Sequence, residues 1–95
     1  MNKYELALVI STRIEDDAKV AVLEKAKDLI AKVGGTIVNV DDQGKKRMAY
    51  EIQDMKEGYY YFIQFEAPAE APASMETNLR IMDNVIRYLV VRVDA

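Results

Sequence analysis

From Lys3 to Ile10 apolar and mixed residues alternate, with Tyr4, Leu6, Leu8 and Ile10 on one side and Ala7 and Val9 on the other. This pattern predicts a first strand that is apolar on both faces. The run Ser11 to Asp17 that follows carries helix-capping side chains and acidic first-turn residues suited to the positive end of a helix dipole, so a helix is predicted to begin near Glu15 or Asp16. Within it Val22, Leu23, Ala26, Leu29, Ile30 and Val33 recur at three- and four-residue spacing, while Lys19, Glu24, Lys25, Lys27, Asp28 and Lys32 take much of the opposite side. Gly34-Gly35 stops the helix, because glycine enters the left-handed conformation without a Cβ penalty.

Thr36 to Val40 is rich in β-branched residues and Lys46 to Ile52 alternates again, with Asp41-Asp42-Gln43-Gly44 between them. Two strands or one would fit; a lone glycine in an extended stretch often marks a bulge, which favours one long bent strand from Thr36 to Ile52. Asp54 to Gly58 is then the hairpin turn and Tyr59 to Glu66 the third strand. Pro68 to Pro72 breaks that strand and opens a second helix running through Met75 and Leu79, with Met82 completing its apolar stripe. After Asp83-Asn84 the last strand, Val85 to Val93, is almost continuously apolar apart from Arg87 and Arg92, which implies contact on both faces. The order is that of a ferredoxin-like βαββαβ fold in the α+β class: a four-stranded antiparallel sheet with two helices on one face, forming one domain over residues 1–95.

Composition narrows the chemistry. With 51% hydrophobic and 31% charged residues in 95, the chain suits one folded domain rather than a disordered one. It holds no cysteine and no histidine, so disulfides, cysteine-based zinc sites and Ser–His or Cys–His nucleophiles are excluded. No signal-like segment and no long apolar run occurs, and the expectation is a soluble, cytoplasmic protein without a membrane partner. The net charge of −3 weighs against nucleic-acid binding unless the cations are gathered locally.

They are gathered in part: Lys45-Lys46-Arg47 follows Gly44, and Arg80, Arg87 and Arg92 fall at the end of the second helix and in the last strand. A solvated charge cluster is the plain explanation, yet arginines within an apolar strand cost desolvation unless they meet solvent or a partner, and guanidinium matches phosphate. Tyr59, Tyr60 and Tyr61 point to both faces, as do Val85 to Val91, so the side of the sheet without helices is either spare surface or a docking site. Glu57 to Phe62 invites comparison with the first ribonucleoprotein motif of RNA-recognition domains, but Glu57 and Tyr60 stand where a basic and a small residue are wanted. The pairs Asp16-Asp17 and Asp41-Asp42 are accounted for by helix-start and turn chemistry rather than by a metal or a shared proton, and Gly34-Gly35 follows a helix, the wrong end for an anion. No cofactor, small-molecule substrate or catalytic residue is expected.

Two segments resemble the bacterial small-subunit ribosomal protein six family. Gly44-Lys45-Lys46-Arg47-Met48-Ala49-Tyr50-Glu51-Ile52 is similar to its signature of glycine, basic residues, an aliphatic residue, Ala-Tyr and a later isoleucine. Leu79 to Arg92 is similar to its second-helix end and last strand, and Lys3-Tyr4-Glu5 and Gly58-Tyr59 also fit. Met48 replaces the usual leucine, Gln53 a basic or small residue, and Met82 a common second arginine. The resemblance implies a non-enzymatic component of the small ribosomal subunit that pairs with ribosomal protein eighteen to bind small-subunit ribosomal RNA. It points to Lys3, Tyr4, Arg87 and Arg92 as RNA contacts, and to Lys46, Arg47 and Tyr50 as residues near the protein partner. A basic partner supplying most of the phosphate neutralisation would reconcile this role with an acidic chain. Outside that family, the same topology serves small amino-acid-binding regulatory modules and acylphosphatase-like enzymes, although no phosphate-cradling loop is present for the latter.

Overall fold

A computed structural model of the chain describes the backbone of residues 1–52 and 55–93 and the side chains of residues 1–48 and 56–93. The elements follow as β1 (Asn2–Ser11), α1 (Asp16–Lys32), β2 (Thr36–Ile52), β3 (Met55–Ala67), α2 (Ala71–Leu79) and β4 (Val85–Arg92). The strands form one sheet in the order β2-β3-β1-β4, and every neighbouring pair is antiparallel. The ferredoxin-like arrangement expected from the sequence is therefore the one observed.

Strand alternation decides which residues meet the helices. Tyr4, Leu6, Leu8 and Ile10 of β1 and Tyr61, Ile63 and Phe65 of β3 are buried with Val22, Ala26, Leu29 and Ile30 of α1 and Met75 and Leu79 of α2. Each fully buried Leu, Ile, Phe or Met contributes about 1.5–3 kcal/mol, so this layer holds the domain together. Tyr4 lies against Phe65 with ring centroids 5.6 Å apart. Gly34 ends α1 with φ of 82°, as its place after the helix requires.

Some details depart from expectation. Met55 to Gly58 is strand rather than turn, so the β2–β3 hairpin projects further than alternation suggested; Asp54 and Gln53 lie outside the described residues. The Ser11–Asp17 run gives α1 no side-chain cap, because Ser11 is the last residue of β1, and its Oγ instead accepts from the Arg13 N–H at 3.1 Å. Asp16 and Asp17 do occupy the first turn. Met82 packs on the core from the turn after α2, which ends at Leu79. The bulge anticipated at Gly44 is present, with Gly44 at φ 72° and its N–H donating to Asp42 Oδ1 at 2.8 Å. A second register shift near Val38 was not visible in the pattern.

Candidate nucleic-acid and partner interface

Residues directly opposite one another in an antiparallel sheet share a face, so the register maps the side without helices. Four rows cross it. Thr36, Glu66 and Lys3 form the first; Asn39, Gln64, Glu5 and Val91 the second; Asp41, Phe62, Ala7 and Leu89 the third; Gly44, Tyr60, Val9 and Arg87 the fourth. Along the second row Asn39 Nδ2 donates to Gln64 Oε1 at 3.1 Å, and Gln64 Nε2 donates to the Glu5 carboxylate, tying three strands together. In the third, Asp41 Oδ2 accepts from Gln43 Nε2 at 2.7 Å.

Among the described residues the last strand is covered on its helix-free side only near Ile86, and not at Leu89 and Val91. Tyr88 and Val90 pack on the core, whereas Leu89 is 53% and Val91 38% exposed on the helix-free side. That side is not wholly bare either. Near Arg87, Met48 from the projecting hairpin and Val9 are both buried in a small second cluster, with Tyr60 and Ile86 packed against them. Tyr60 thus packs locally, so the likeness to a base-stacking ribonucleoprotein motif does not extend to an open aromatic platform.

The expected RNA residues separate into two places. Lys3, Tyr4 and Arg92 meet at one end, where Tyr4 pairs with Arg92 and the Val93 N–H donates to the Lys3 carbonyl at 2.9 Å. Tyr4 is only 5% exposed, and Asn2 Nδ2 donates to its hydroxyl at 3.1 Å; its ring is core. Arg92 pairs with a core-facing residue and so points to the helix side, while Arg87 pairs with Val9 on the opposite side. The two arginines of the last strand therefore stand on opposite faces of the sheet. They stand five residues apart, roughly 16 Å along the strand. Both are exposed, and both engage in interactions within the chain.

Lys46 and Arg47 are exposed at the other end of the sheet on the β2 edge, where Lys46 pairs with Gly58 in the helix-free row next to that of Arg87 and Arg47 pairs with Glu57, of opposite parity. The side chain of Tyr50 lies outside those described. Arg87 and Lys46 therefore lie toward one end of the sheet, on opposite edge strands, and Lys3 and Arg92 toward the other end. Arg13 was not singled out in the sequence, although it enters the same region by way of the β1–α1 loop. Only its position beyond the end of a strand could have signalled this.

On the helix side, Lys19 Nζ lies 4.2 Å from the centroid of the Tyr59 ring and 3.9 Å from Asp16 Oδ1. Burial raises the pKa of the neighbouring Tyr61 hydroxyl, with Asp42 acting in the same direction and Lys19 opposing them. Among the described residues no cluster of three or more acidic groups is placed to hold a metal ion.

Comparison with known proteins agrees with this geometry. A family model described as ribosomal protein S6 matches residues 3–92. The small ribosomal subunit protein bS6 of Alkaliphilus oremlandii is 40% identical over 94 residues, covering 99% of each chain. That of Moorella thermoacetica is 43% identical over 94 residues, covering 99% of this chain and 96% of the relative. The crystal structure of 30S ribosomal protein S6 from Thermotoga maritima superposes with a TM-score of 0.91 at 26% identity, covering 96% of this chain and 86% of that one. With the match spanning nearly every element from β1 to β4, the chain belongs to the ribosomal protein S6 family, proteins of the small ribosomal subunit.

Proposed function

We propose that the chain binds small-subunit ribosomal RNA jointly with ribosomal protein eighteen, as a heterodimer that helps form the central region of the subunit, and that it catalyses nothing. Family membership makes it a ribosomal component, found with ribosomes in the cytoplasm. The observation that supports the finer reading is the fourth row of the helix-free face. There Arg87 on the β4 edge lies one helix-free row from Lys46 on the opposite, β2 edge, and Ile86 of β4 packs against the cluster of Val9 and Met48, so a protein held at the hairpin and an RNA strand held at β4 would share one end of this face.

In this reading Arg87, Lys3 and Arg92 contact RNA, and Tyr4 acts by fixing the strand end on which Lys3 stands. Lys46, Arg47 and Tyr50 lie near the protein partner. The acids Glu5, Asp41 and Glu66 on the same face disfavour bare polyanion and favour a basic protein, which accounts for RNA binding by a chain of net charge −3. Exposed Leu89 and Val91 give that partner apolar surface to cover. The test is titration of a small-subunit RNA junction with the heterodimer carrying Arg87→Ala. Weaker binding with an unchanged melting temperature is expected; unchanged affinity would remove Arg87 from the interface.

A further inference from the structure

Four of the five arginines, Arg13, Arg47, Arg80 and Arg87, lie towards the end of the sheet where β1 finishes and β4 begins. Two of them line one open cleft of about 480 Å³ between the β1–α1 loop and the turn after α2. Arg13 enters from the first loop and Arg80 from the end of α2, over a floor that includes Ile14, Val85 and Ile86.

Both backbones are fixed. The Arg13 N–H is held by Ser11 Oγ at 3.1 Å, and the Arg80 N–H by the Glu76 carbonyl at 3.0 Å. The two sides of the cleft are joined where the Ser11 N–H donates to the Asn84 carbonyl at 2.8 Å. Asn84 has φ of 67°, a conformation asparagine tolerates better than most residues, and it turns the chain from the Arg80 segment into β4. Two guanidinium groups on anchored loops suit a phosphate oxyanion, since each presents a planar fork of donors. Asp83 also lines the cleft and opposes an anion there.

We propose that this cleft is a second RNA contact, in which Arg13 and Arg80 hold a backbone phosphate of the strand that passes Arg87. The inference rests on the RNA-binding reading above and extends it to residues outside the last strand. Ile86, which lines the cleft, immediately precedes Arg87, and Lys46 lies three strands away in the Gly58–Ser11 row. A polyanion reaches all of these cations, whereas a single phosphate reaches only the cleft.

The experiment titrates the RNA junction with heterodimers carrying wild-type chain, Arg13→Gln/Arg80→Gln, Asp83→Asn, or Lys25→Gln/Lys27→Gln on α1 as a charge-matched control. The arginine pair is expected to lose about tenfold or more in affinity and to flatten the salt slope by about two phosphates. Asp83→Asn is expected to tighten binding, and the α1 control to change little. Wild-type binding with no difference between the two double variants would overturn the cleft assignment while leaving the RNA-binding reading intact; no wild-type binding even with the partner would overturn both. In parallel, the arginine Nε–Hε resonances of the wild-type chain are followed with inorganic phosphate. Saturation below about 1 mM together with unchanged RNA affinity in the arginine pair would assign the cleft to a free phosphate and overturn its RNA role. Loss of heterodimer formation in that pair, with RNA affinity of the assembled complex unchanged, would assign it to a protein contact instead.

Discussion

Gly58 of β3 and Val9 of β1 approach so closely that a Cβ on Gly58 would fall 2.5 Å from Val9 Cγ1. Val9 in turn is buried with Met48, so the glycine allows the projecting hairpin to close over this part of the sheet. Gly58→Ala is expected to destabilise the domain by about 1–3 kcal/mol through overpacking. Urea unfolding measures it, and Gly58→Ala/Val9→Ala should recover part of the loss. A Gly58→Ala variant as stable as wild type would show that the contact is not tight.

Tyr61 sets an alkaline limit. Burial raises its pKa above the ordinary value of 10.0, so the folded chain keeps a proton that the unfolded chain releases. Its contribution is fully present below about pH 10 and is lost as pH rises through the folded value. Tyr61→Phe should therefore flatten the fall in stability as pH rises above about 10, read by urea unfolding at each pH. An equal fall in both proteins would mean that Tyr61 titrates normally.

How much of this could be read from the chain differs by element. The 3.6-residue repeat of α1 and the alternation of β1 gave the correct buried faces, because both elements have one side packed on a continuous core. The hairpin is longer than its sequence predicts, since Met55 to Gly58 carries turn chemistry yet is held in strand by pairing with β2. Arg87 and Arg92 looked equivalent in sequence. The unbroken register of β4 between them, with an odd spacing of five residues, puts them on opposite sides. Leu89 and Val91 looked buried because periodicity reports apolarity, not whether a partner is present.

Leu89 illustrates the consequence. Removing a 53% exposed side chain with Leu89→Ser should change the stability of the isolated chain by no more than about 0.5 kcal/mol. The same variant should weaken association with ribosomal protein eighteen several-fold, as isothermal titration calorimetry would record. A large loss of stability would mean that Leu89 serves the fold instead.

Arg87 and Arg92 should also separate in function. Arg87→Ala is expected to reduce the salt slope of RNA binding by about one phosphate. Arg92→Ala, on the other side of the sheet and beside Tyr4, should act independently, so the double variant should show additive losses. Strong non-additivity would indicate that the two touch a single RNA feature despite the register.

RNA binding by this chain is proposed to be a joint property of two proteins. Titrating the RNA junction with this chain alone and with the chain plus ribosomal protein eighteen, at the same ionic strength, tests it directly. Affinity should rise by orders of magnitude when the partner is present and fall with added salt; equal affinity in the two titrations would contradict it.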